Sequence, residues 1–158
     1  METLKAIAVR KSTRKFKNIP MNAQTLKTII KAGQAAPVAC GRHGDIDIRA
    51  ITEKAQPDRI DDISADYIGV SGSHPIYGAP VFILVSAFRA PDIPETNPYL
   101  NVGCVIENMA LAATDLEIGN VILALPVRAL LKENNFLKTL NIDERYTPIC
   151  ALALGYSY

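Results

Sequence analysis

The stretch from residue 101 to residue 119, NVGCVIENMALAATDLEIG, constrains the fold more than any other part of the chain. Its polar side chains form one narrow stripe with seven-residue spacing: Asn101, Glu107, Asn108, Thr114 and Asp115. Apart from Glu117 near the end, the other positions are apolar or small, which predicts a long helix buried over nearly its whole circumference. In so short a chain, a second subunit is one way to cover such a helix. We therefore expect a homodimer with this helix at or beside the interface; a central helix buried inside a monomer is the alternative.

Two nearly continuous apolar runs predict strands that are covered on both faces. They are APVFILVSAF, residues 79–88, and TPICALALGY, residues 147–156. The alternating IDIRAI, residues 46–51, predicts a half-buried strand, and residues 56–78 are polar and turn-rich, with room for one short helix. Because these strands are dispersed among helices without βαβ alternation, we expect an α+β fold in a single domain over residues 1–158.

Three further helices are predicted from caps and spacing. The first is a short amphipathic helix after the possible cap Thr3, and the last begins around Pro126 in PVRALLKENN. The helix between them begins after the cap Asn22 and ends before Pro37. The apolar stripe of the first helix is Leu4, Ile7 and Ala8, and that of the second is Leu26, Ile29, Ile30 and Ala36.

Positive charge is concentrated near the N-terminus. Residues 1–31 hold eight Lys or Arg side chains against one acid, about +7, although the whole chain carries only +1. We call residues 10–17, RKSTRKFK, the basic segment. If it is extended, Arg10, Ser12 and Arg14 lie on one side of it, and two guanidinium groups with a hydroxyl suit a phosphate. The pattern therefore indicates a local anion site, with a merely solvated basic surface as the alternative.

Several other kinds of site are excluded by residue type and spacing. Cys40, Cys104 and Cys150 are far apart and form no CxxC pair, so we expect buried, reduced thiols and no disulfide framework or zinc cluster. His43 and His74 have no partner at metal-ligand spacing, and Cys40 with His43 lacks an orienting third group. The chain has no GxGxxG or Walker loop, no apolar run of about 20 residues and no signal peptide, so we expect a cytoplasmic protein without membrane contact.

Five segments in order resemble the FMN-dependent nitroreductase family. AVRKSTRKF resembles its N-terminal RRSxRxF signature, and LKTIIKAGQAAPVACGRHGD is similar to its second helix with the loop that ends it. YGAPVFILVSA is similar to its apolar strand, NVGCVIENMALAATDLEIGNVIL to its long dimer helix, and ALALGY to its last core strand. The resemblance covers about residues 4–156. The chain ends at Tyr158, where longer relatives continue with a basic tail, so it resembles a compact, C-terminally short member.

This resemblance implies a nitroreductase-like fold, with a central, mostly antiparallel sheet flanked by helices and the long helix at the dimer interface. It implies two FMN molecules at that interface and ping-pong hydride transfer from NAD(P)H to a small electrophile such as a quinone or nitroaromatic. No catalytic side chain is expected, because the flavin carries the chemistry. A flavin- or phosphate-binding regulatory protein without turnover is the alternative.

The resemblance also assigns residues to the cofactor. The FMN phosphate is expected at Arg10, Ser12 and Arg14, with Lys11 supplying charge or a backbone contact near the flavin. The family loop that reaches the flavin from the other subunit corresponds to Pro37, Val38, Ala39 and Gly41. The turn from Ile122 to Leu125 is expected to direct backbone N–H groups, including those of Ala124 and Leu125, at the reactive edge of the ring.

The chain departs from the family pattern in that loop and in the turn. Val38, Gly41 and His43 stand where the family usually has Ser, Asn and Gln, which leaves His43 as a possible donor. Ile122 and Ala124 stand where many members have a proline and an acid. A nucleic-acid-binding module is a third alternative, but Phe16 is the only aromatic residue in the basic segment, so we expect no nucleic acid.

Overall fold

The computed structural model describes residues 1–158 as one antiparallel sheet with helices on both faces. The strands are β1 (Ile46–Ile51), β2 (Val81–Phe88), β3 (Gly119–Leu123) and β4 (Tyr146–Gly155), in the order β1-β2-β4-β3. The helices are α1 (Thr3–Val9), α2 (Ala23–Gln34), α3 (Ala55–Ile68), α4 (Asn97–Asp115), α5 (Leu125–Leu130) and α6 (Asn134–Thr139). None of these helices is long and apolar enough to cross a bilayer.

The two central strands, β2 and β4, divide the core into two layers. Successive side chains of a strand point to opposite faces, so each strand contributes to both layers. One layer joins α2 and α4 to Val81, Ile83, Val85, Leu152 and Leu154. The other joins α3 and α5 to Phe82, Leu84, Ala151 and Ala153. Burial on both faces explains why both strands are continuous apolar runs, as predicted.

Helix α2 forms as its local signals predict. Asn22 Oδ1 accepts hydrogen bonds from the N–H groups of Gln24, at 2.8 Å, and Thr25, at 3.2 Å. The helix ends at Gln34, before Pro37. Gly33 lies so close to α4 that a Cβ there would be 2.7 Å from Met109 Cγ. The cap and the close approach together fix α2 against the long helix.

The long helix α4 is shifted from its prediction. It spans 97–115 instead of 101–119, and Glu117, at φ 59°, turns the chain into β3. Strand β3 was not predicted. Within one chain α4 is covered on one side only, by α2, α1 and the sheet. Leu100, at 64% exposure, Gly103 and Cys104 face outward. The prediction of buried thiols is therefore wrong, since Cys40 is also exposed and Cys150 is only half-buried.

Three other helix predictions need correction. The apolar stripe of α1 is exposed, with Leu4 at 80% and Ile7 at 53%, because α1 rests on the protein through Ala6 instead. Helix α3, with 14 residues, is longer than the short helix expected in the polar middle. The structure has two helices where the sequence predicts one last helix, because α5 ends at Leu130 and α6 follows it.

Candidate functional site

The basic segment is extended and tied to the sheet by its backbone. Thr13 N–H donates to Asn120 O in β3 at 2.8 Å, and Lys17 N–H donates to Tyr156 O just after β4 at 2.8 Å. Ser12 forms an isolated parallel bridge with Asn120. The segment thus adds a partial strand at the β3 edge, which places Ser12 beside β3.

Phe16 anchors the segment from within. Its side chain is buried in the layer with α3 and α5, at 6% exposure, and is the only large apolar side chain of the segment. Two glycines make room for this docking. A Cβ on Gly155 would be 3.0 Å from Phe16 Cδ1 and 2.7 Å from Pro80 Cδ, and a Cβ on Gly119 would be 3.0 Å from Thr13 Cγ2.

The five cations of the basic segment have no acidic partner. No ion pair of the structure includes Arg10, Lys11, Arg14, Lys15 or Lys17. Arg10 and Ser12 are half-buried, whereas Lys11 and Arg14 are exposed. Their donors are therefore available to an anion from outside the chain. Two guanidinium groups and a hydroxyl at alternating positions are donors that suit a phosphate.

The second predicted element is residues 37–45, which we call the proline loop. Asn101 of α4, at 6% exposure, accepts a hydrogen bond from Ala39 N–H at 2.9 Å. Arg42 makes two bonds to Asp92, at 2.8 and 2.5 Å, and Gly44 O accepts one from the Tyr146 hydroxyl. Side chains from three other parts of the fold therefore hold the loop.

This loop is strained at Cys40. Cys40 has φ 55° and Gly41 has φ 65°, and the left-handed conformation is unfavourable for a residue with a Cβ. Such residues cluster at ligand sites, where surrounding contacts enforce them. The Arg42 hydrogen bond lowers the pKa of Asp92 to about 2, and the same contact raises the pKa of Arg42. Both groups are charged at neutral pH, so the pair is available to hold the loop.

A cavity of about 380 Å³ opens beside the proline loop. Val38 and His43 of the loop line it, together with Asp47 of β1 and Val105 of α4. Asp47 Oδ2 is buried and has no hydrogen-bond partner within the chain. Another cavity, of about 340 Å³, lies beside Lys54 and Asp58 and contains none of the predicted residues.

The third predicted element is shorter than expected. Ile122 belongs to β3, so the turn is reduced to Ala124 and the first residue of α5, Leu125. Helix α5 begins without a side-chain cap, and Ala124 N–H donates no backbone hydrogen bond. Ile122 and Leu125 are 40% and 37% exposed. The turn therefore offers a free N–H group beside two exposed apolar side chains.

In one chain, the basic segment and the proline loop lie toward opposite ends of α4. Asn101 binds the loop near the start of the helix. Asn120 accepts a backbone hydrogen bond from the basic segment. Its side-chain N–H groups donate to Ala110 O and Thr114 Oγ1, near the end of α4. From Asn101 to Thr114 the helix rises about 20 Å. The chain therefore does not bring the two predicted cofactor elements together.

Comparison with known proteins gives one decisive match. The model of the nitroreductase family covers residues 7–156. The chain belongs to the nitroreductase family. A comparison with curated proteins finds no match.

Several solved nitroreductases share the fold. One with bound FMN from Desulfitobacterium hafniense is 25% identical, with a TM-score of 0.88 over 99% of this chain and 90% of that one. One with bound FMN from Bacteroides fragilis is 23% identical, with a TM-score of 0.87 over 100% and 89%. An FMN-dependent nitroreductase from Clostridium difficile is 18% identical, with a TM-score of 0.80 over 99% and 91%. The predicted α+β nitroreductase-like fold is confirmed.

The residues that hold the elements of this candidate site in place are not predicted from the sequence. The sequence marks Asn101 only as a polar position of the long helix, and no pattern marks Asn120 or Gly155. Asn101 and Ala39 are 62 residues apart, and no local pattern links them. The only available signal was a polar side chain within an apolar helix, because a buried amide must find a partner.

Proposed function

We propose that the chain is an FMN-dependent NAD(P)H oxidoreductase that reduces a small electrophile such as a quinone or a nitroaromatic. The observation that carries the proposal is the row of unpaired donors at Arg10, Ser12 and Arg14. Family membership and the FMN bound in similar structures support it. Three free cysteines support a cytoplasmic setting.

The residues present fit the cofactor. Arg10, Ser12 and Arg14 would hold the phosphate, and Lys11 would add charge near the ring. When bound, FMN would supply hydride transfer between NAD(P)H and the acceptor. Backbone N–H groups at Ala124 and Leu125 would stabilise negative charge at the ring edge.

The proline loop would bring its small residues to the same flavin from the partner subunit. The loop presents mainly backbone, because its residues there are small: Pro37, Val38, Ala39 and Gly41. Gly41 adopts the left-handed conformation without strain, since it has no Cβ. His43, which lines the adjoining cavity, would be the side-chain donor of this loop. Acceptor and nicotinamide would occupy one pocket in turn, since hydride transfer requires close contact with the ring.

We propose a homodimer for two reasons. Apolar side chains are exposed along α1, α4 and the end of β3: Leu4, Ile7, Val9, Tyr99, Leu100, Leu116 and Ile122. These elements pack beside one another, so a second copy could cover them. Pairing two α4 helices in opposite directions about a two-fold axis would also set one subunit's proline loop beside the other's basic segment.

The test is a charge-matched pair of double variants. Arg10→Ala with Arg14→Ala removes both guanidinium groups, so the protein should lose most of its FMN and remain a folded dimer. Lys27→Ala with Lys31→Ala removes the same charge from α2 and should keep its flavin. Absorbance from 300 to 550 nm, chromatography of the released flavin and light scattering measure the outcome. Stoichiometric FMN in the arginine variant would contradict the phosphate assignment.

A flavin-binding protein without turnover is the second candidate. Among the loop positions where the family usually has Ser, Asn and Gln, only His43 keeps a side-chain donor. Stopped-flow mixing of the FMN-loaded protein with NADPH and NADH separates the two functions. Rapid bleaching of the flavin supports the oxidoreductase, and a stably oxidised flavin with both nucleotides supports the binding protein.

A further inference from the structure

The basic segment carries more positive charge than one flavin phosphate requires. A phosphate monoester carries about −1.5 to −2 charges at pH 7, which Arg10 and Arg14 already match. Lys15 and Lys17 remain, and neither has an acid within ion-pair distance. A second anion is therefore expected at these two lysines.

One aromatic ring gathers these two lysines. Phe16 between them points into the core, so Lys15 and Lys17 project outward. Lys15 Nζ lies 4.8 Å and Lys17 Nζ lies 5.9 Å from the centroid of the Tyr158 ring, both within cation–π range. The backbone just before Tyr158 is tied to the basic segment, because Lys17 N–H bonds Tyr156 O and Phe16 bridges Ser157.

This arrangement holds two like charges together without a counterion. The ring attracts both ammonium groups, but it does not cancel their mutual repulsion. A doubly charged phosphate would, and it would gain charge-assisted hydrogen bonds from both. Tyr158 is 75% exposed and Lys15 is exposed, so such a ligand can approach from solvent.

We propose that Lys15 and Lys17 bind a second phosphate monoester, separate from the one at Arg10, Ser12 and Arg14. The inference rests on the proposed function, under which this group is the 2′-phosphate of NADPH. NADH has no such phosphate. The chain therefore prefers NADPH to NADH as its hydride donor.

Binding of NADP⁺ and NAD⁺ tests the site without turnover, because the two differ only in the 2′-phosphate. In calorimetry at low, fixed salt, NADP⁺ should bind about tenfold more tightly, the lower end expected for charge-assisted bonds at an exposed site. Lys15→Ala with Lys17→Ala should remove that difference. Lys27→Ala with Lys31→Ala, which changes the net charge equally, should keep it. The proposal would be overturned if the unaltered protein bound NADP⁺ and NAD⁺ with equal affinity. It would also be overturned if both double variants lost the preference for NADP⁺ to the same extent.

Kinetics test the specificity in the holoenzyme. The ratio of kcat/KM for NADPH to that for NADH should fall about tenfold in the Lys15 and Lys17 double variant, at unchanged FMN content. Loss of FMN from this variant would mean that the lysines hold the flavin phosphate, and the proposal would be wrong. If the protein holds no FMN, the proposed function is refuted. The comparison of NADP⁺ and NAD⁺ affinities still tests whether Lys15 and Lys17 bind a phosphate.

Discussion

The basic segment is tied to the sheet by backbone hydrogen bonds and one buried ring, whereas the proline loop is held by the side chains of Asn101, Asp92 and Tyr146. The first arrangement leaves the charged side chains of the segment free. The second uses Arg42 of the loop itself to hold its shape. Under the proposed function, the segment would therefore recognise its ligand mainly through side chains and the loop mainly through its backbone.

The two regions also respond differently to charge. Cations of the basic segment lack protein partners, so an anion that binds them displaces only water. In the proline loop Arg42 is already neutralised by Asp92. A salt titration should therefore weaken ligand binding at the segment and loosen the shape of the loop, since exposed ion pairs are screened.

The largest effect is expected where the basic segment docks. Gly155→Ala would place a Cβ 2.7 Å from Pro80 Cδ and 3.0 Å from Phe16 Cδ1. Because the proline ring cannot move freely, we expect a loss of about 3 kcal/mol in the free energy of unfolding, the upper end for overpacking. Urea unfolding measures it, and trypsin should cleave faster after Lys15 and Lys17.

The matched control lies in the proline loop. A Cβ on Gly44 would meet nothing within 4 Å, so Gly44→Ala should change the unfolding free energy by less than about 0.5 kcal/mol. If both variants unfold alike and trypsin cuts the basic segment at the same rate, Phe16 docking does not hold the segment.

An intermediate effect is expected where the proline loop joins α4. Asn101→Ala removes the acceptor of Ala39 N–H and should cost about 1–2 kcal/mol in the free energy of unfolding. Asn101→Asp keeps an acceptor oxygen for Ala39 N–H and replaces an amide nitrogen that makes no bond within the chain with a carboxylate oxygen, at the cost of a charge in a buried position. Calorimetric melting should rank the unaltered protein first, the Asp variant second and the Ala variant last.

Flavin binding separates a structural role of Asn101 from a positioning role. If Asn101 positions the proline loop for the cofactor, the Ala variant should bind FMN more weakly and the Asp variant should recover the affinity. Fluorescence titration of apo-protein with FMN measures both. Equal FMN affinity in all three proteins would mean that Asn101 contributes to stability alone.

Most of the sheet and α2 could be predicted because their signals are local. Strands β2 and β4 are buried on both faces and therefore read as apolar runs, and Asn22 caps α2 through residues two and three positions away. Strand β3 was missed because the chain turns into it just after α4, at Glu117 in a left-handed conformation, which that residue type does not signal.

Helix α3 shows that a buried polar residue can make a helix hard to predict from the sequence. Asp61, at 9% exposure, accepts a hydrogen bond from Ile76 N–H at 2.8 Å and contacts His74 Nδ1 at 2.7 Å. Its partners lie in the loop after the helix, so only the tertiary structure explains a carboxylate on the inner face. The same holds for the candidate site. The spacing of Arg10, Ser12 and Arg14 can be recognised in the sequence, but the contacts at Asn120 and Gly155 that hold their segment in place cannot.

The smallest effect is expected at the ion pair of the proline loop. Asp92→Asn leaves Arg42 without its partner, so trypsin should cleave faster after Arg42 in this variant. Asp143→Asn breaks another exposed pair, with Arg145 outside the loop, with the same charge change, and should leave cleavage at Arg42 unaltered. Equal acceleration in both variants would mean that net charge, and not the Arg42 contact, controls the loop.

The pH dependence of stability shows whether the Arg42–Asp92 pair stabilises the folded protein. The pKa of Asp92 is lowered from 3.8 to about 2, chiefly by its hydrogen bond to Arg42, so the folded protein favours the carboxylate more than the unfolded chain does. The stabilisation is fully present above pH 3.8 and is lost as the pH falls toward 2. The urea midpoint of the Asp92→Asn variant should therefore lie slightly below that of the unaltered protein at pH 6. At pH 3 the gap should be narrower, and a gap that widens as the pH falls would show that Asp92 is not stabilised as a carboxylate in the folded protein.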